Sequence, residues 1–260
     1  MSCNKIFNFN LVTQDETDIT PDFENAFFPA SNLRDYRSTK TWRTPDGTLT
    51  GIVVFDFKTA EVVDSIMVVG DKLRGIGFTS MVIEANITDS WGAPLFSTTL
   101  IPDSQFNFGY KDLSATLPEY RFWRITITGG SPFVELSHLF IGKEMGIGRS
   151  ANLNWGFQNT DKSSTTSNRS GQRFTDIRNS QKSITIGYSI LSKTEYPILQ
   201  NALDANGESI PFWLIMDPST EISDNVGRFS GPFFLERVPM IKNPFFGRYN
   251  AGSMKFMEAI

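Results

Sequence analysis

Few side chains in this sequence are of the types that enzymes use, and their spacing matches none of the common catalytic motifs. The only histidine, His138, lies inside the apolar run 136–141, and the only cysteine, Cys3, lies close to the N-terminus. Nucleophilic catalysis needs a base and an orienting group beside the nucleophile, and the serine-hydrolase, zinc-protease and phosphate-loop motifs are absent from the sequence. A lone histidine on an apolar strand is typical of a structural role. We therefore predict that the chain is not an enzyme.

Paired carboxylates are the one chemistry that such a composition leaves open. Glycoside hydrolysis needs only two acids at a suitable separation. The candidates are scattered along the chain, and no spacing singles out a pair: Asp35, Asp46, Asp217 and Glu236. The glycosidase alternative thus has no sequence pattern behind it.

Composition bounds the remaining functions. The chain has 260 residues, a net charge of −4 and 23 phenylalanines. A nucleic-acid partner would require a basic face, which this charge does not supply. No apolar run is long enough to cross a bilayer, and the N-terminus does not read as a secretory signal. A single cysteine permits no internal disulfide, so we expect synthesis in a reducing cytoplasm. The length favours two modules.

Short apolar runs separated by turn residues dominate the first half. Runs of this kind, without a convincing helix, predict a β-sandwich over residues 23–147. They are 51–57, 63–70, 80–86, 120–128 and 134–142. Residues 1–22 are polar and acidic and are predicted to form an N-terminal arm. The alternative is a strand over 7–13, which alternates with period two and could pair with a neighbouring sheet or subunit.

The second half changes character twice. Residues 148–181 are rich in Gly, Asn, Ser and Thr, and are predicted to be a linker or extended loop; the alternative is an arm that folds against neighbouring subunits. Residues 182–260 predict a β module with one short helix. Ser192 and Glu195 form a capping box, the apolar stripe is Ile198, Leu199 and Leu203, and Asn206-Gly207 stops the helix. The predicted fold class is therefore mostly β.

The first module resembles the discoidin, or coagulation-factor C-type, galactose-binding-like fold. The resemblance rests on the segment 24–35, on Thr41-Trp-Arg-Thr44, and on the order of the strands up to Gly142. It implies a domain that binds and assembles. It also implies that aromatic and arginine side chains on end loops contact glycans, which gives Arg34, Tyr36, Trp42 and Arg43; for Trp42 a core position is the favoured reading.

The same resemblance raises the question of a metal. Members of this family commonly hold calcium between the loop carrying Asp35 and an acidic residue near the last strand. This sequence has His138 where that acid is often found, and Glu135 and Glu144 are the available substitutes. No other cofactor is expected.

The second module resembles the C-terminal part of minor tail proteins of tailed bacteriophages, in Ser170–Arg173, Asp217-Pro218, Gly227–Gly231 and the strand from Arg248. This implies a structural virion component of the tail tip or baseplate, which assembles with copies of itself and with other tail proteins. The alternative is a carbohydrate-binding adhesin, or lectin, that contacts host-surface glycans. Phenylalanines are the candidate assembly contacts, with ordinary core as their alternative: Phe27, Phe28, Phe106, Phe108, Phe233, Phe234, Phe245 and Phe246.

Overall fold

The chain divides into two compact units. The computed structural model describes residues 4–37, 39–70, 77–129, 132–147, 155–176, 180–216, 227, 229–245 and 247–259. Unit 1 comprises residues 1–146 and 212–231, and unit 2 comprises residues 147–211 and 232–260. The first division falls where the composition changes in the sequence. The return of 212–231 to unit 1 was not predicted.

Unit 1 is built from short antiparallel strands. They are β1 (Lys5–Phe7), β2 (Asp18–Pro21), β3 (Trp42–Arg43), β4 (Thr50–Val62), β5 (Ser65–Val69), β6 (Ser80–Asn86), β7 (Phe96–Leu100), β8 (Phe108–Asp112), β9 (Glu119–Thr128), β10 (Glu135–Leu136) and β11 (His138–Gly142). Two 3-10 turns, Leu11–Thr13 and Ala30–Arg34, connect the first of them.

Two sheets face each other in this unit. The larger has the order β2-β4-β9-β6-β7 and the smaller the order β11-β5-β8. Alternate residues of the central strands point inward, as a sandwich requires: Phe55 of β4 and Trp123 of β9 are fully buried. The smaller sheet contributes Ile66 and Leu139 to the same core. Burying each such side chain contributes roughly 1.5–3 kcal/mol.

The smaller sheet is covered on its other face as well. Unit 1 includes a strand from the C-terminal half, labelled here by its chain order as β16 (Phe212–Ile215), which pairs antiparallel with β1. A second buried cluster lies there and includes Phe7, Met67, Phe140 and Trp213. The strand Ser65–Val69 therefore buries residues on both faces, which explains why it reads as a continuous apolar run instead of an alternating one.

The N-terminal residues are part of unit 1, so the prediction of a solvated arm over 1–22 is corrected. Lys5–Phe7 pairs with 213–215, and Asp18–Pro21 pairs with 53–56. The alternative, a strand over 7–13, is right in type but misplaced. Its second half forms the 3-10 turn Leu11–Thr13, in which Asn10 caps the main-chain N–H of Val12. An N-terminal segment pairs with distant parts of the chain because those strands would otherwise present open edges.

Unit 2 contains the remaining elements. They are β12 (Gly156–Thr160), β13 (Ser164–Ser167), β14 (Arg173–Asp176), β15 (Gln181–Tyr188), the helix α1 (Glu195–Asn206), β17 (Gly231–Leu235), β18 (Lys242–Phe245), β19 (Arg248–Asn250) and β20 (Gly252–Glu258). Strands β17, β20, β15 and β12 follow one another in an antiparallel sheet. The predicted fold class is confirmed: the chain is mostly β, with an N-terminal sandwich and a second β module that carries one short helix.

The start of helix α1 follows the sequence closely. The main-chain N–H of Glu195 donates to Ser192 Oγ (3.2 Å), and the N–H of Ser192 donates to Glu195 Oε2 (2.8 Å), which is the reciprocal capping box. Leu199 and Leu203 are buried as predicted, whereas Ile198 is half-buried. Gly207 ends the helix with a positive φ of 54°. Among the described residues, no helix has the length and apolar character that crossing a bilayer demands.

Two other segments of unit 2 differ in detail from the predictions. The polar stretch 148–181, expected to be a linker, contains strand β12 and a hairpin made of β13 and β14. The closing strand is interrupted at Ala251, between β19 and β20. There Gly252 adopts a φ of 64°, and its N–H donates to Asn250 Oδ1. A local turn of this type requires the conformational freedom of glycine.

Candidate functional site

Three loops meet at one end of the sandwich in unit 1. Thr50 at the start of β4 pairs with Thr128 at the end of β9, so the loops before β4 and after β9 lie together. The N–H of Gly47 donates to the Pro132 carbonyl (2.8 Å) and binds these two loops to each other. We call the resulting surface, formed by residues 22–28, 43–49 and 132–134, the aromatic end.

A tight turn presents one phenyl ring at this end. The N–H of Phe28 donates to the Asn25 carbonyl (2.8 Å), and the N–H of Phe27 donates to Asn25 Oδ1 (3.0 Å). Asn25 and Phe28 both hydrogen-bond the main chain of Arg43, which fastens the turn to strand β3. An asparagine-closed turn of this type is conformationally fixed. It leaves Phe27 86% exposed.

An arginine contacts two further rings of the aromatic end. The guanidinium carbon of Arg43 is 3.2 Å from the ring centroid of Phe133 and 5.2 Å from that of Phe28. Its Nη2 donates to Asp46 Oδ1 (2.8 Å). Two cation–π contacts and an ion pair together hold the side chain in place. Arg43 therefore positions two rings and a carboxylate, and its side chain is only 16% exposed.

The other predicted glycan contacts lie in different environments. Trp42 is not available as a glycan contact: it is fully buried, and its ring packs so closely on Gly51 that a Cβ there would lie 2.6 Å from it. A buried ring offers no face to a sugar, and the core position that the sequence favoured is the observed one. Arg34 ends a 3-10 turn and donates from Nη2 to the Thr17 carbonyl. Tyr36, two residues on, is half-buried.

The predicted calcium position carries an ion pair in this structure. Arg37 Nε donates to Asp35 Oδ1 (2.9 Å), and this bonding holds the pKa of the Asp35 carboxyl at about 2. The His138 side chain hydrogen-bonds the main chain of Asp35, so the two positions that the resemblance singled out are neighbours. Among the described residues, no group of three or more His, Cys, Asp or Glu is arranged to hold a metal. Calcium at Asp35 stays a prediction.

Burial makes His138 a reporter of folding. Desolvation lowers the pKa of its imidazole to about 4, and Nε2 has no partner among the described residues. The unfolded chain takes up this proton near pH 6.5, so the free energy of unfolding falls as the pH drops from about 6.5 to about 4, by about 3 kcal/mol in total. We expect the single imidazole NMR signal to titrate near pH 4. In urea unfolding between pH 4 and 7, His138→Gln should remove this part of the pH dependence, and an imidazole that titrates near 6.5 would contradict the assignment.

The predicted assembly phenylalanines divide into exposed and core positions. Phe27 is exposed, and Phe28, Phe106 and Phe234 are half-buried. Phe108 and Phe233 are corrected, since both are buried, at 3% and 1% exposure. The side chain of Phe245 and the whole of Phe246 lie outside the described residues.

Each weighed carboxylate within the described residues is paired with a basic side chain. Asp46 is paired with Arg43, Asp35 with Arg37, and Glu236 with Lys255 Nζ at 3.0 Å. Asp217 lies outside the described residues. Sequence reasoning missed Phe133, which stands alone after Pro132 and has no periodic pattern around it. From the sequence, Asp46 was considered only as a carboxylate for glycoside hydrolysis. Its position in a Pro-Asp-Gly turn, three residues after Arg43, is the sequence signal that could have linked the two side chains.

No protein-family model matches the chain, and no curated protein does. Among solved structures, it is similar to the family 32 carbohydrate-binding module of NanJ from C. perfringens in complex with galactose, at 19% identity over 53% of this chain and 98% of that one, with a TM-score of 0.42. A fucose-binding module of Streptococcus pneumoniae, SpX-3, matches at 10% identity over 52% and 98%, with a TM-score of 0.43. A Ruminococcus gnavus GH29 fucosidase matches at 16% identity and a TM-score of 0.45, over 53% of this chain but only 27% of the enzyme.

Proposed function

We propose that unit 1 is a non-catalytic carbohydrate-binding module and that the aromatic end is its glycan site. The observation that carries this proposal is the exposure of Phe27, whose ring is held outward by a fixed turn beside the stack of Phe28, Arg43 and Phe133. Single exposed apolar side chains are ordinary on protein surfaces, but a cluster of them marks an interaction site.

The chemistry of the site suits a sugar. A hexose presents an apolar face of C–H groups that packs against a phenyl ring, while its hydroxyls need a few fixed polar partners at the edge. Phe27 supplies the ring, and the carboxylate of Asp46, anchored by Arg43, supplies a fixed acceptor. Because the turn and the arginine stack are already ordered by hydrogen bonds within unit 1, little conformational entropy is lost on binding.

Phe27→Ala is the direct test. Aromatic anchors at the centre of a binding site cost more than 1 kcal/mol when truncated, so we expect at least about a fivefold loss of affinity on a glycan array and in titration calorimetry. Thermal stability should be unchanged, because the Phe27 ring is exposed to solvent and does not pack in the core. Phe174→Ala is the matched control, since that ring is 58% exposed in unit 2. Equal affinity of Phe27→Ala and wild type would refute the site.

A virion role is the second candidate, and we retain it because of one element of unit 2. The hairpin of β13 and β14 is exposed at all eight strand positions, including Phe174. An isolated two-stranded hairpin is marginally stable in water, so such an element suits an arm that gains contacts in an assembly. The chain would then be a structural protein of a bacteriophage tail, incorporated in the tail tip or baseplate with copies of itself.

The two functions are compatible, because a tail protein can also touch host glycans. Mass spectrometry of purified particles tests the second one: a stoichiometric amount of this chain supports it. Light scattering of the isolated protein measures its oligomeric state. A monomer that binds glycans and is absent from particles would support the carbohydrate-binding function and exclude the virion role.

A further inference from the structure

The charges around the aromatic end indicate which class of glycan it takes, an inference that rests on the proposed function. Three acidic residues border the surface, Asp22, Glu24 and Asp46, while Arg43 is its only basic residue. Their formal charges are −3 and +1, which leaves −2. Asp46 has a side chain that is 73% exposed, whereas Arg43 is largely covered by rings. A ligand therefore meets carboxylates at the rim and not the guanidinium.

These carboxylates are fixed in place by hydrogen bonds within the chain. Asp22 Oδ1 accepts from the N–H groups of Phe23 (2.7 Å) and Ile52 (2.8 Å). Glu24 Oε2 accepts from the N–H of Ala30 (2.7 Å). Asp46 Oδ1 accepts from Arg43, and this leaves Oδ2 for a ligand. These hydrogen bonds restrain the side-chain rotamers of the three carboxylates. The carboxylates therefore stay in place and repel an anion that approaches.

We propose that the aromatic end selects uncharged sugars over acidic ones, and that Asp46 is a specificity-determining residue. A carboxylate only accepts hydrogen bonds, and a sugar hydroxyl is a donor that it can bind. The carboxylate of a uronic acid has no proton to donate at neutral pH and is repelled. At contact distance in water each such repulsion amounts to a factor of about five in affinity.

Matched sugars that differ only at C6 test this selectivity. Immobilised glucose, galactose and mannose are compared with glucuronic, galacturonic and mannuronic acid, using the full-length chain at pH 7. We expect at least one neutral member to bind at least about fivefold more tightly than its acid. The ratio should shrink in 1 M NaCl, where the Debye length is about 3 Å.

Asp46→Asn isolates the contribution of this carboxylate. The amide oxygen can still accept from Arg43, so the rings keep their positions, but the charge is gone. We expect the ratio of the affinities for a neutral sugar and its uronic acid to fall about fivefold in Asp46→Asn. The control Asp204→Asn removes one negative charge from the exposed face of α1 and should leave this ratio unchanged.

Each outcome has a distinct meaning. Equal binding of neutral and acidic members by the wild type, or an unchanged ratio in Asp46→Asn, overturns the selectivity while the glycan function stands. Failure of the wild type to bind any of the six sugars, or any glycan on a broad array, overturns the proposed function itself, and the selectivity with it.

Discussion

Trp42→Ala is expected to lower the free energy of unfolding by about 3–5 kcal/mol, which is the cost of removing a large aromatic side chain from a packed core. The ring is fully buried beside Gly51, whose missing Cβ makes room for it. The main chain around it pairs β3 with β10, so the cavity would open in the part of unit 1 that supports Arg43. If the aromatic end is the glycan site that we propose, its affinity would then fall because the site loses its support and not because a contact is lost.

The measurement is urea unfolding followed by circular dichroism, with two comparison variants. Trp42→Phe keeps most of the volume and removes an indole N–H that has no partner among the described residues, so it should cost far less than the alanine change. Trp91→Ala removes a half-buried indole that stacks under Arg124 on a loop, and should cost about 1 kcal/mol or less. A Trp42→Ala protein as stable as Trp91→Ala would show that the ring is not in the core.

Phe7→Ala is expected to lower the free energy of unfolding by a similar amount, about 3–5 kcal/mol. Its effect should extend to a segment that is distant in the sequence. Phe7 is fully buried, and its ring meets Phe140 edge to face at 5.2 Å; Phe140 in turn lies 5.4 Å from Trp213. Strand β1 pairs with β16, so a loosened β1 leaves the main chain of 213–215 without its partner.

Hydrogen exchange detects this effect directly. The amides of β16 that hydrogen-bond to β1 should exchange faster in Phe7→Ala, because they lose their strand partner in the open state. Phe9→Ala is the matched control, two residues away but 48% exposed, and should change stability by about 0.5 kcal/mol or less. If both variants unfold at the same urea concentration, β1 does not hold this part of unit 1 together.

Local signals in the sequence predicted the secondary structure of the second module well. The capping box of Ser192 and Glu195 acts within one helical turn, so its residues alone determine where the helix starts. The burial of Ile184 and Ile186 in β15 follows from alternation, because successive side chains of a strand must face opposite ways.

The candidate site was anticipated in part. Arg43 and Phe27 were both singled out, but for different roles and as members of different groups. Bringing them together takes the main-chain pairing of Asn25 with Arg43, and Phe133 enters the same cluster from a loop about 90 positions further on. Sequence spacing does not reveal such contacts, since loops from distant strands meet only when the sheet has formed.

By itself, the sequence determined the mostly-β class and the helix with its cap, because these depend on composition and on periodicities a few residues long. Tertiary structure alone decided that residues 212–231 belong to unit 1, that Phe27 is at the surface, and that the Arg43 guanidinium contacts the rings of Phe28 and Phe133. Those outcomes depend on pairings across tens to hundreds of residues, whose register is fixed by which faces must be buried together.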